Sequence, residues 1–107
     1  MYDCVYEIVK WKSGKDVTDQ EMIDALRSMV ADLKSVTGFL HQATYKDQTG
    51  NWIDIYYWKT EEDAIASNNS MANKQSFKEL ISLILPDSVS IEILKPLQAS
   101  GDVRFLI

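Results

Sequence analysis

Four residues alternate along one predicted β-strand in a pattern that could build a reactive site. Trp52, Asp54, Tyr56 and Trp58 lie two residues apart, and side chains at this spacing point to one face of a sheet. A carboxylate thus lies among large aromatic rings. A carboxylate deprived of water there has a raised pKa and can act as a base near neutral pH. The pattern predicts either a small-molecule pocket or an acid with a structural partner.

Four strands and two helical regions frame this pattern. β-branched and aromatic residues predict the strands at 5–11, 39–46, 52–59 and 88–95. One helical region begins at a capping box formed by Thr18 and Glu21, and we expect it to end at Gly38. The other begins at 60–63, breaks at 68–70 and then resumes.

Right-handed connections between these elements predict an α+β fold of the ferredoxin-like type. Its βαββαβ order gives a four-stranded antiparallel sheet with the helices on one face. The third strand then lies between the first and the second. The 107 residues are expected to form a single domain, with a core at about 5–95 and a C-terminal tail at 96–107.

The turn at 47–50 sets the pairing of the second and third strands. Its sequence, Asp-Gln-Thr-Gly, suits a type I turn followed by a left-handed glycine. The turn places Thr44 opposite Asp54 and Gln42 opposite Tyr56. A slip of one residue would move every side chain of the second strand to the other face.

The helix-free face of the predicted sheet is too apolar to face water. The residues assigned to it are Phe39, Ala43, Tyr45, Ile53, Ile55 and Tyr57. Apolar patches of this kind mark association surfaces, so we expect a homodimer that packs two such faces together. The apolar end of the tail, 103–107, is expected to cross to the partner subunit.

Composition excludes several classes of function. Hydrophobic residues make up 46% of the chain and charged residues 25%, with a net charge of −5, which is typical of a globular protein. The chain has no basic cluster, so we expect no nucleic-acid partner. Short apolar runs predict no membrane association. A single cysteine and the lack of a leader pattern predict a cytoplasmic location, and no Cys or His cluster predicts a metal site.

Several segments together resemble a known family. They are residues 6–12, the capped helix, 38–39, 50–54 and 58–64. Over about residues 5–95 the chain resembles the dimeric α+β barrel superfamily, and within it the antibiotic biosynthesis monooxygenase-like (ABM-like) domain. That superfamily includes cofactor-independent oxygenases of phenolic polyketides, haem-degrading monooxygenases and many small proteins with no assigned activity.

The haem-degrading branch can be compared residue by residue. Its pocket tryptophan matches Trp58, and its pocket asparagine falls on Glu7. Its haem-ligating histidine falls on Ile81, whereas the one histidine of this chain, His41, lies on the second strand. The resemblance therefore disfavours haem degradation, and we expect no cofactor.

The resemblance also implies which side of the sheet lines a pocket. If Trp58 faces the space between sheet and helices, alternation places Asp54 and Tyr56 there as well, and Glu7 approaches from the first strand. The implied catalytic residues are Glu7 and Asp54, and the implied pocket-lining residues are Gln42, Thr44, Tyr56 and Trp58. The expected function is that of a cofactor-independent monooxygenase acting on a small aromatic or polyketide-like compound.

Each of the two acids could have a purely structural role instead. Asp54 could simply accept a hydrogen bond from Thr44 or from a helix end, since buried acids usually have such partners. Glu7 could pair with Lys46 or Lys10. The chain would then be a non-catalytic dimeric module that binds a small ligand or supports an assembly.

Overall fold

A computed structural model describes residues 4–101 of the chain. The strands are β1 (Val5–Trp11), β2 (Phe39–Lys46), β3 (Trp52–Trp58) and β4 (Ser90–Leu94), and the helices are α1 (Asp19–Leu33), α2 (Glu61–Met71) and α3 (Gln75–Ser82). The sheet has the order β2-β3-β1-β4, and every pair in it is antiparallel. This confirms the predicted ferredoxin-like arrangement, with β3 between β1 and β2. The expected crossing of 103–107 to a partner lies outside the described residues.

The register between β2 and β3 is the predicted one. Thr44 pairs with Asp54 and Gln42 with Tyr56. In the turn, the Asp47 amide donates to the Asn51 carbonyl at 2.9 Å, and Gly50 has a φ of 87°, a conformation that few residues other than glycine adopt. The strand is thereby held in one register, and the slipped pairing does not form.

One residue lies on the opposite face of the sheet from the one predicted. A bulge between Phe39 and His41 inserts Leu40 into β2, and such an extra residue reverses the alternation at one end of a strand. Phe39 therefore pairs with Trp58 and packs edge-on against its ring, with centroids 5.7 Å apart. The assignment of Phe39 to the helix-free face was wrong.

The first helix begins where the capping box predicts and ends earlier than expected. The Thr18 hydroxyl accepts a hydrogen bond from the Glu21 amide, and the Glu21 carboxylate accepts one from the Thr18 amide. The helix ends at Leu33, so Gly38 is not its cap. Gly38 has a φ of 83° and lies in the turn that leads into β2.

The second helical region is divided, although later than 68–70. The Ala72 amide still donates to the Asn68 carbonyl at 3.1 Å, so the helical pattern continues through the asparagines to Met71. The hydroxyls of Ser67 and Ser70 donate to carbonyls one turn back, those of Ala64 and Ala66, so these polar side chains are bonded within the helix. The division instead falls between α2 and α3, at 72–74.

The core lies between the sheet and the three helices. It contains Trp11 and Val5 of β1, the alternate residues of β3, and four apolar residues of α1, namely Met22, Leu26, Met29 and Leu33. On the other face, Ile53, Ile55 and Tyr57 are half-buried and Tyr45 is 54% exposed. None of the helices in the described range has the length and hydropathy needed to cross a membrane.

Candidate active site

A small cavity lies between the helix-covered face of the sheet and helices α1 to α3. Its volume is about 130 Å³. On the sheet side it is bordered by residues of β1 and β3, by Ile91 of β4 and by the residue just before β4, namely Glu7, Val9, Trp11, Asp54, Tyr56, Trp58, Ile91 and Val89. On the helix side the bordering residues include Met29, Leu33, Ser67, Asn68, Met71, Phe77, Leu80 and Ile81. Both acids singled out in the sequence therefore border one space, together with Tyr56 and Trp58.

Asp54 is held by three hydrogen bonds and is 1% exposed. Its Oδ1 accepts from the Thr44 hydroxyl at 2.7 Å and from Gln42 Nε2 at 3.1 Å. Its Oδ2 accepts from the Tyr56 hydroxyl at 2.6 Å. Burial raises the pKa of Asp54, although the three hydrogen bonds oppose that rise. The structural alternative for Asp54, a bond from Thr44, is thus present.

Tyr56 supplies the shortest of these bonds and stays protonated. Burial, followed by the charge of Asp54 and the hydrogen bond to it, raises the pKa of Tyr56 well above its ordinary value. The hydroxyl is therefore a permanent donor to Asp54 and is not available as a base. Its role is to fix the orientation of the carboxylate.

Glu7 is buried but less fully bonded. Its Oε1 accepts a hydrogen bond from Trp58 Nε1 at 2.9 Å, and within residues 4–101 no donor contacts its Oε2. Burial raises the pKa of Glu7 and the nearby charge of Asp54 raises it further, whereas the bond from Trp58 lowers it. Glu7 is the one acid of the cavity with a carboxylate oxygen left over for a ligand.

The lysines considered as partners for Glu7 lie elsewhere. Lys46 pairs with Asp19 at 3.0 Å and lies over the ring of Trp52. Lys10 is exposed and, by alternation along β1, projects from the face opposite to Glu7. The proposed ion pair of Glu7 was wrong, and the indole of Trp58 takes its place.

Gln42 and Thr44 contact Asp54 without bordering the cavity. They line a separate and larger open groove of about 730 Å³ between α1 and β2. Neither buried acid borders that groove. Gln42 and Thr44 therefore affect the cavity only through their hydrogen bonds to Asp54.

Trp11 is a residue of the site that sequence reasoning missed. It is 2% exposed, borders the cavity and stacks on Trp52 with centroids 6.2 Å apart. Trp52 Nε1 donates to the Ser13 hydroxyl at 2.8 Å, whereas Trp11 Nε1 is buried with no acceptor in the described part of the chain. The available signal was spacing, since Trp11 lies four residues after Glu7 and so on the same face of β1.

The cavity does not fit haem. Ile81 borders it at the position where the resemblance places the haem-ligating histidine, and its lining contains no imidazole or thiolate. His41 lies on the helix-free face, stacked on Tyr57 with centroids 5.6 Å apart. The volume is also too small for a porphyrin. Among the described residues, no group of three His, Cys, Asp or Glu side chains is placed to hold a metal ion.

Comparisons with known proteins bear on the fold. No family model matches the chain, and no curated protein matches it in sequence. Solved structures do match. SnoaB from Streptomyces nogalater, a cofactor-independent oxygenase, has a TM-score of 0.76 at 11% identity, covering 94% of this chain and 99% of that one.

Two further structures give similar values. A candidate antibiotic biosynthesis monooxygenase from Nitrosomonas europaea has a TM-score of 0.73 at 14% identity, covering 94% of this chain and 97% of its own. Another, from Caulobacter crescentus, has a TM-score of 0.72 at 12% identity, covering 91% and 92%. The chain has the ABM-like fold. The resemblance stated from sequence is thereby confirmed at the level of the fold, and at these identities it reaches no further.

Proposed function

We propose that this protein is a cofactor-independent monooxygenase that acts on a small phenolic compound, with Glu7 as the general base. The observation that carries this proposal is the state of Glu7, a buried carboxylate with a raised pKa and one oxygen not bonded to any described residue. A base must reach the proton it removes and must titrate near the working pH. The shared fold with SnoaB, itself a cofactor-independent oxygenase, supports the same reaction class.

The reaction needs no electron source besides the phenol. Glu7 takes the hydroxyl proton, and the electron-rich phenolate transfers an electron to O₂. The two resulting radicals combine at a ring carbon that carries hydrogen, forming a C–O bond and a hydroperoxide. Cleavage of the O–O bond then gives a quinone and water, with the ring hydrogen and the proton held by Glu7 accounting for the two hydrogens of the water. One oxygen atom enters the product, and the substrate is oxidised by four electrons.

The remaining polar groups set the pKa and the orientation of the Glu7 carboxyl group. Asp54 holds negative charge close to it, which favours the protonated form that Glu7 takes after accepting the proton. Tyr56 and Thr44 hold Asp54 in one orientation. Trp58 fixes Oε1 and leaves Oε2 for the substrate. These are positioning roles, and Glu7 alone would touch the reacting hydroxyl.

The test is oxygen uptake by wild type, Glu7→Gln and Glu21→Gln with monocyclic phenols and hydroquinones. Glutamine keeps an acceptor for Trp58 but cannot take a proton, so Glu7→Gln is expected to lower kcat by about 10²–10⁴-fold. Glu21 belongs to the capping box of α1 and does not border the cavity, so Glu21→Gln should leave kcat unchanged. Oxygen uptake by Glu7→Gln equal to that of wild type would reject Glu7 as the base.

A non-catalytic module that binds a small ligand is the second candidate. It is favoured by Asp54, whose hydrogen bonds to Tyr56, Thr44 and Gln42 already give this acid a complete structural role. Binding of phenols without any oxygen consumption, in wild type and variants alike, would favour this candidate over the enzyme.

We also propose a homodimer that buries the helix-free face, and a cytoplasmic location. The half-buried Ile53 and Ile55 and the exposed Tyr45 form an apolar surface on that face, which supports association. The single cysteine, Cys4, can form no disulfide within the chain, which fits a reducing compartment.

A further inference from the structure

The volume of the cavity limits what it can enclose. A cavity of about 150 Å³ is enough to hold benzene, and the cavity here measures about 130 Å³. The space between the sheet and the helices is therefore close to that of one aromatic ring, and the rest of a larger ligand would lie at the open rim.

The rim of the cavity is open and mostly apolar, with Asn68 as its exposed polar residue. Ile91 is 58% exposed and Ile81 46% exposed, and both border the cavity. The deeper wall consists of side chains such as Met29, Leu33 and Leu80. Such a wall favours the faces of an aromatic ring and offers its edge no hydrogen bond.

Two residues that border the cavity each have a polar atom with no hydrogen-bond partner among residues 4–101. One is Glu7 Oε2, an acceptor, and the other is Trp11 Nε1, a donor that no described residue accepts from. Both side chains lie on the same face of β1, and four residue steps along the strand separate their Cα atoms by roughly 13 Å. They cannot bond each other, so a ligand that satisfies both has a donor at one end and an acceptor at the other.

Trp11 is unusual because buried indole N–H groups usually have a partner. Its stacked neighbour Trp52 shows the usual arrangement, with a bond to Ser13. Trp11 Nε1 is closed to solvent, so a ligand atom would contact it only after a small shift of the indole or of the apolar wall. A ligand acceptor placed there removes an unsatisfied group, which strengthens binding.

We propose that the cavity binds a single-ring phenol that also carries a hydrogen-bond acceptor on a short substituent, and that Trp11 selects for that acceptor. The phenolic hydroxyl donates to Glu7 Oε2, and a carbonyl oxygen of the substituent accepts from Trp11 Nε1. This inference rests on the proposed function, because that function places the phenolic hydroxyl against Glu7. It adds the size of the ligand, its second polar group and the residue that recognises that group.

The test is binding in the absence of O₂, measured by calorimetry. The probes are 3-hydroxyacetophenone and 3-isopropylphenol, which have nearly the same shape but differ in the carbonyl, and 2-naphthol, which adds a fused ring. The proteins are wild type, Trp11→Phe and Trp52→Phe. Trp11→Phe removes the unsatisfied N–H, and Trp52→Phe removes the N–H bonded to Ser13, so the two changes are matched.

Wild type should bind 3-hydroxyacetophenone more tightly than 3-isopropylphenol or 2-naphthol, neither of which offers Trp11 an acceptor. Trp11→Phe should weaken 3-hydroxyacetophenone binding by about tenfold, the loss expected for one buried hydrogen bond, and leave 3-isopropylphenol binding unchanged. Trp52→Phe should change neither. Equal effects of Trp11→Phe on both phenols, or 2-naphthol binding as tight as that of 3-hydroxyacetophenone, would overturn the inference.

A second measurement uses wild type alone, in case Trp11→Phe folds poorly. The indole N–H signals of the three tryptophans are followed by NMR during titration with each phenol. The Trp11 signal should move downfield with 3-hydroxyacetophenone and stay in place with 3-isopropylphenol, and the reverse pattern contradicts the proposal. Since no step of either test consumes O₂, selective binding without oxygen uptake would reject the enzyme while retaining Trp11 as the recognition residue.

Discussion

Trp58 and Asp54 act on the same carboxyl group in opposite directions. The hydrogen bond from Trp58 lowers the pKa of Glu7, and the charge of Asp54 raises it. If ionised Glu7 is the base, activity rises with pH through that pKa. Asp54→Asn should therefore move the rise in kcat to lower pH, and Trp58→Phe should move it to higher pH. A pH profile of oxygen uptake for the three proteins measures both, and shifts in the same direction would contradict these roles.

The same raised pKa values affect stability. Burial raises the pKa of Glu7 and of Asp54, so the folded protein binds these protons more tightly than the unfolded chain. The free energy of unfolding therefore falls as the pH rises from the ordinary values of these acids through their raised values. Glu7→Gln has no group to titrate at this position and should flatten that fall.

Urea unfolding between about pH 4 and pH 8 measures this slope. Glu21→Gln is the control with the opposite sign, because a hydrogen bond from the Thr18 backbone lowers the pKa of Glu21. Stability from Glu21 is present above its ordinary pKa and is lost as the pH falls through the lowered value. A Glu7→Gln protein with the slope of wild type would mean that Glu7 titrates normally in the folded state.

At the level of elements, Gly38 joins α1 to β2 under two constraints. Its φ of 83° disfavours any residue with a side chain, and a Cβ there would collide with the side chain of Asp63 on α2. Gly50 has a similar φ of 87° but open space around it. Gly50→Ala should cost about 1–2 kcal/mol for the left-handed conformation alone, and Gly38→Ala should cost more. Urea unfolding compares them, and equal losses would show that Asp63 moves aside freely.

Much of this element structure was predictable because it follows local rules. The capping box at Thr18 and the turn that ends in Gly50 each involve neighbouring residues, and the turn sets which residues of β2 and β3 face the cavity. The bulge beside Phe39 has no comparable local signal. It depends on how the start of β2 packs against Trp58, so the face of Phe39 was predicted wrongly.

The site was predictable in part for the same reason. Alternation along β3 grouped Asp54, Tyr56 and Trp58, and all three border the cavity. The partner of Glu7 is 51 residues away in sequence, and no spacing rule selects Trp58 over a lysine at that range. That Trp11 has no acceptor is known only once every side chain around it is placed.

At the scale of the whole molecule, a separate prediction concerns the C-terminal tail, residues 96–107. Residues 103–107 include four apolar side chains, which favours their burial, and a surface on the partner subunit would provide it. Truncation after Pro96 should then weaken the dimer and raise its dissociation constant. Sedimentation equilibrium measures this, and an unchanged constant would show that the tail does not contribute to association.

The dimer itself is tested on the helix-free face. Ile55 lies near the centre of that face, paired with Ile8 and Ala43 on the neighbouring strands. Ile55→Lys would place a charge in the middle of the proposed interface, where it would have to lose water without a partner. Ile65 on α2 is 54% exposed, so Ile65→Lys makes the same chemical change away from that face.

Sedimentation velocity should show wild type and Ile65→Lys as dimers and Ile55→Lys as a folded monomer, with circular dichroism confirming the fold. A stable interface buries about 800 Å² on each partner, and a charge at its centre costs enough to separate the subunits at micromolar concentration. A monomeric wild type would reject the dimer. A dimeric Ile55→Lys would place the interface on another surface, because the helix-free face cannot bury an unpaired lysine at its centre and stay closed.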